Sequence, residues 1–159
     1  MIPLGHFERV TRGAHAWTDT ATETDTPPHP FDQRNIHPDL PPKVRRLYDD
    51  GYLPEATFEA FKFVEQEVKR IGGIRGTTGF ALMMKAFDES SPVIALNSLA
   101  TDTEIDEQRG YRHMFAGAQS GIRNPRGHDT DLSDSPDVCL DHLAIASVFL
   151  RRLDEAGLR

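Results

Sequence analysis

At 159 residues the chain suffices for one domain with a sizeable core and is too short for two ordinary domains plus linkers. A formal net charge of -7 and a pI near 5.4 exclude a protein that coats nucleic acid by bulk electrostatics, leaving only a local basic site open. The sequence has no apolar run of membrane-span length, no basic-then-apolar leader and only Cys139 for thiol chemistry, so a cytoplasmic chain without disulfide or membrane contact is expected.

Residues 1–42 hold seven of the eleven prolines and a TDTATETDTPPHP tract, without helical or strand periodicity. They read as an extended arm, taken as 1–38, ahead of a helical domain at 39–159. Ile2, Leu4, Phe7, Val10, Trp17 and Phe31 are its few large apolar residues, and Trp17 is the expected anchor on a partner or on the body. An unanchored tail is the competing expectation.

The helical body is expected to start near Asp39 and Leu40, with Pro41 and Pro42 in a first turn. KVRRLYDDG reads as a short helix with Val44, Leu47 and Tyr48 inward, closed by Gly51. Pro54 opens a longer helix in which Phe58, Phe61, Val64 or Glu65, Val68 and Ile71 recur at helical spacing before Gly72-Gly73. That stripe, with Phe63 beside it, reads as core, the competing reading being a cofactor box or base-stacking platform of Phe58, Phe61 and Phe63.

GGIRGTTG is a turn, since it lacks the Gly-Lys-Ser/Thr end and the preceding strand of a phosphate loop. FALMMKAFD predicts a short helix with Leu82, Met83 and Phe87 inward, and SSPVIALNSLATDT an irregular crossing before Asp102 or Thr103 caps a long helix. On that helix Tyr111, Phe115, Ala118 and Ile122 form an apolar face. A second face carries Arg112, Ala116, Gln119 and Arg123, with His113, Gly117, Ser120 and Asn124 one step around. The small residues permit close approach by a second copy or by another helix of the same chain. DTDLSDSPD reads as an exposed acidic loop, and Pro136 opens a final, largely apolar helix in which His142 reads as a packed, hydrogen-bonded residue.

Charge is distributed unevenly around the long helix. From Arg109 to His128 there are four Arg, two His and no acid, whereas 102–107 holds four acids and 129–141 holds five, which predicts a positive patch rimmed by negative charge. Within Arg123-Asn124-Pro125-Arg126-Gly127-His128, proline predicts a helix end near Asn124. Gly127 would then turn His128 back towards Arg123. Guanidinium grips phosphate in a planar, bidentate manner and imidazole exchanges protons near neutral pH, so the pair suits phosphodiester cleavage. The plainer reading makes Arg123 a helix cap and His128 a loop residue.

Arg123-Asn124-x-x-x-His128, after a long helix and before an apolar one, resembles the R-N-x(3)-H form of the HEPN active-site motif. HPDLPPKVRRLYDDGYLPEATFEAFKFVEQEVKR, LMMKAF, DEQRGYRHMFAGAQSGIRNPRGH and LAIASVFLRRLD together resemble the Ymh-type family of uncharacterised HEPN-like proteins over roughly 37–155. The resemblance implies an all-α bundle of about five helices, commonly dimeric, and a metal-independent ribonuclease of toxin or anti-phage defence systems, without a cofactor. It assigns Arg123, His128 and Asn124 to catalysis, with Arg126, Arg112 and His113 set against the RNA; for Arg126 an exposed idle charge is the alternative. It also implies a homodimer, and an antitoxin or defence-complex subunit as a possible partner of the arm. Some HEPN toxins carry a tyrosine two residues after the histidine for control by a nucleotidyltransferase antitoxin, and Thr130 stands there instead.

Two other readings compete. One is a non-catalytic dimerising, sensor or adaptor subunit, which the acidic surface favours. The other is a metal-dependent hydrolase using His128, Asp129 and Asp131 with His113 or His142, which lacks any defined ligand spacing.

Overall fold

The computed structural model describes residues 27–129 and 131–159, all helix and loop. The expected anchors Ile2, Leu4, Phe7, Val10 and Trp17 lie outside the described residues, as does Thr130. Its helices are α1 (Pro30–Gln33), α2 (Pro42–Asp49), α3 (Leu53–Gly72), α4 (Gly79–Ala86), α5 (Asp102–Ala118), a π turn (Gln119–Arg123), α6 (Asn124–His128) and α7 (Pro136–Glu155). Among the described residues α5, the π turn and α6 run on as one rod, so the body is an all-α bundle of six rods, the first a single turn.

The punctuation follows backbone chemistry. Gly51 closes α2 at φ 82° and Gly73 closes α3 at φ 60°, left-handed conformations that favour glycine. Thr101, one residue ahead of the expected cap, opens α5. Its hydroxyl accepts from the Glu104 N–H, and the Glu104 carboxylate accepts from the Thr101 N–H, a capping box that places Glu104 favourably against the helix dipole.

Helix α3 packs against α2 and α7, and α4 against α5. Their core is an aromatic ladder: Phe87 stacks on Phe115 at 4.5 Å, Phe115 on Phe149 at 4.1 Å, and Phe61 meets Phe149 edge-on at 6.4 Å. All four rings are fully buried, each burial being worth roughly 1.5–3 kcal/mol. Leu82, Met83 and Phe87 point inward as expected, while Val148 on α7 faces out.

The chain joins this body before Asp39. Phe31, Ile36, His37 and Leu40 are buried, the His37 N–H donates to Ser147 Oγ at 2.9 Å, and its Nε2 pairs with Asp154 at 2.8 Å. Arg159 then ties Asp39, Glu67 and Asp154 together, each at 3.0 Å. Part of the proline-rich stretch is thus integral to the body.

Candidate functional site

The rod carrying the motif does not stop at Asn124. Proline still removes a donor, but the backbone accommodates it by widening: the Asn124 N–H reaches back five residues to the Gln119 carbonyl, forming the π turn, and helical geometry resumes through Pro125 to His128. Gly127 is therefore helical, and its small size serves another purpose. A Cβ built there would stand 2.6 Å from Phe58 Cε2, so glycine lets α6 lie directly on the Phe58 ring.

Phe58 is accordingly a half-buried platform instead of a core residue. The Arg123 guanidinium lies over its ring, 4.7 Å from the centroid, and Arg123 Nη1 donates to Asn124 Oδ1 at 3.0 Å. Ring and amide hold the cation in one orientation. Arg123 Nε and Gln119 Oε1 are buried without a hydrogen-bond partner among the described residues.

His128 is exposed at the end of α6. It borders a cavity of about 210 Å³ with Pro54, Glu55, Gly127, Asp129 and Leu132. It lies five helical positions beyond Arg123, an angular offset of roughly 140°, so the expected fold-back of one side chain onto the other within a single chain does not occur.

The remaining arginines are neutralised. Arg126 forms a two-pronged bond with Asp134, both contacts at 2.6 Å, and donates a third to the Ile122 carbonyl; the two charged side chains are 8% and 5% exposed. It is neither a free charge nor an open contact for RNA. Arg112 is held by Asp88, Glu89 and the Met84 carbonyl, and Arg109 by Glu89 and Asp106. The predicted basic patch therefore closes up, leaving Arg123 as the one member of the four without a carboxylate partner among the described residues. Arg112 and exposed His113 stand more than two turns up the rod, roughly 16 Å from Arg123 by helical rise, and are not gathered at the motif.

His142 sits below, near Arg126 and Asp134. Its Nδ1 has no hydrogen-bond partner among the described residues, against expectation, and burial, with help from the Arg126 charge, pushes its pKa down. Burial pushes the Cys139 thiol up, so this is not a reactive thiolate. Among the described residues no three His, Cys, Asp or Glu side chains converge as metal ligands, and no helix is long and apolar enough to cross a membrane.

The small residues near the motif divide between core and surface, Ala116 and Ala118 being buried in the core. Gly117, Ser120 and Gly121 are exposed, and a Cβ at Gly117 or Gly121 would meet nothing within 4 Å.

The carboxylate partners of the arginines and the packing of Gly127 on Phe58 were not foreseen, and Phe58, read as core in preference to a stacking platform, lies against the motif instead. The aromatic stripe gave no sign that one member lay outside the core.

Fold and site thus define an all-α bundle whose π-widened helix carries an Arg-Asn pair and an exposed histidine. The model of the family described as "Protein of unknown function (Hypoth_ymh)" matches residues 34–153, and the chain belongs to that family. No curated protein and no solved structure matches it.

Proposed function

We propose that the protein is a metal-independent endoribonuclease of the HEPN type, acting in toxin-antitoxin or anti-phage defence at a composite site formed by two copies. The observation that carries this reading is the uncommitted, oriented guanidinium of Arg123 beside Asn124, on the rod that presents His128 to solvent. The exposed strip of Gly117, Ser120 and Gly121 supports a close approach by the second copy.

In this mechanism the RNA 2′-hydroxyl loses its proton to one His128 and attacks the adjacent phosphorus. The bond to the 5′-oxygen breaks, the His128 of the other copy protonates that leaving oxygen, and the products are a 2′,3′-cyclic phosphate and a 5′-hydroxyl. Arg123 neutralises charge on the non-bridging oxygens, with Asn124 fixing its plane. Because Arg123 and His128 project to different sides of one rod, pairing of two rods supplies what a single chain does not.

The test is cleavage of total RNA in EDTA by the wild type, Arg123→Ala and His128→Ala, with folding checked by circular dichroism. Each folded variant is expected to lose about two to four orders of magnitude in rate. Wild-type activity retained by both would sink the reading.

A second reading has its own observation. With Arg109, Arg112 and Arg126 all engaged by carboxylates, little positive surface is left to follow an RNA backbone, which suits a non-catalytic dimerising, sensor or adaptor subunit. A dimer that cuts no RNA would favour it.

A further inference from the structure

Beside Phe58 lies a second cavity of about 290 Å³, walled by Lys43, Leu47, Glu55, Phe58, Glu59 and Gly127. It shares Glu55, Arg126 and Gly127 with the cavity bordered by His128, so the two form one groove leading to the motif. We infer that this groove holds an unstacked guanine base, bound by Glu55 and Lys43 between apolar walls. The inference deepens the ribonuclease reading and rests on it for the source of the base: a guanosine next to the scissile phosphate.

The polar groups of the groove decide the ligand. Arg126 is saturated by Asp134 and the Ile122 carbonyl. Glu59 is engaged by Lys43 at 3.1 Å and Lys62 at 3.4 Å. Glu55, exposed in the first turn of α3, has neither a hydrogen bond nor an ion pair among the described residues, and it lines both cavities. A free carboxylate repels phosphate, so its use in a nucleic-acid groove is to accept hydrogen bonds from a base edge.

Guanine places two donors, N1–H and the exocyclic N2–H, side by side where one carboxylate accepts both. Its O6 lies next to them and suits an ammonium donor such as Lys43, which lines the same cavity while paired with Glu59. Adenine and cytosine present a ring-nitrogen lone pair to the carboxylate, and uracil flanks its single N–H with two carbonyl oxygens. Leu47 and Phe58, both half-buried, supply the apolar and aromatic surface on which an unstacked base packs. Phe58 thereby has a role on each side, orienting Arg123 with its ring and walling the base pocket.

The experiment is a titration of the ¹⁵N-labelled full chain with GMP, AMP and UMP, read at the Glu55, Phe58 and Gly127 amides, with Glu55→Gln as the variant. GMP is expected to shift these amides well ahead of the other two, and Glu55→Gln to weaken GMP binding about tenfold or more, the scale of a lost bidentate base contact. Sequencing of the ends from RNA cleavage should show guanosine beside the cut in the wild type and no such preference among the ends that Glu55→Gln produces. Equal response to the three nucleotides, or unchanged GMP binding by the variant, overturns the pocket. GMP selectivity in a chain that cuts no RNA upholds the pocket and defeats the ribonuclease. Cleavage without base preference, and without GMP shifts, does the reverse.

Discussion

On one side of the motif turn, Arg126 is locked beneath the surface by Asp134 and by a backbone carbonyl; on the other, Arg123 lies half-exposed on an aromatic ring with an amide for company. The two guanidinium groups are three residues apart in sequence. One completes the packing between α6 and the loop ahead of α7, and its charge is spent. The other meets no carboxylate among the described residues, and its charge is not neutralised there. Where the carboxylates fall, more than how many arginines a helix carries, sets which part of a basic run remains electropositive.

The sharpest way to break this comparison is to remove one partner on each side. Asp134→Ala strands a buried cation and should cost about 3–5 kcal/mol in a urea titration. Arg123→Ala gives up a partly exposed cation–π contact and should cost about 1 kcal/mol or less. Costs in the opposite order would mean that the roles have been assigned the wrong way round. Replacing the whole ion pair with Arg126→Met and Asp134→Leu should recover most of the loss, since a stranded charge is worse than none.

The glycines sharpen the same contrast. Gly127→Ala drives a methyl into Phe58 and should cost about 1–3 kcal/mol in the same assay, with partial relief when Phe58→Leu is added. Gly121→Ala meets open space and should be neutral or stabilising by up to about 1 kcal/mol, unless a second copy packs there. A Gly121→Ala variant that folds well but dissociates in sedimentation would identify the dimer face.

The smallest effect concerns the clasp around Arg109 and Arg112. A backbone N–H first, and then the Arg109 side chain, hold the Glu89 carboxyl at about 2, below its ordinary 4.5. A depressed value means that ionised Glu89 favours the folded chain. Its contribution is full above about pH 4.5 and fades as the pH falls towards 2. The Tm difference between wild type and Glu89→Gln should narrow across that window, and a constant gap would show that the clasp does not stabilise the chain through charge.

Much of the fold was legible because it rests on periodicity and punctuation. The course of α3 to its glycine stop, the inward trio on α4 and the irregular crossing before α5 follow from apolar spacing and from left-handed glycine. The site was legible as residues but not as geometry. Pro125 promised a break because a missing donor usually ends a helix, yet one wide turn absorbed it. Phe58 shares the spacing of the core aromatics, and only the approach of α6 shows that it faces the motif. The engagement of Arg126 by Asp134 depends on the path of the intervening loop, which local propensity does not specify. His37 gave no signal at all, because its partners Ser147 and Asp154 lie more than a hundred residues away.

A π turn is an α-helix carrying one surplus residue, and this one lies between the half of the rod that fills the core and the half that bears the motif. Deleting Ser120 would return the stretch to ordinary pitch and, because the wide turn already absorbs that residue, leave the helix downstream facing nearly as before. The core aromatics upstream and Arg123 downstream would both keep their faces, the one in the core and the other against Phe58. The surplus residue is thus slack in the rod, which makes this wide turn the point where the rod best tolerates a change of length.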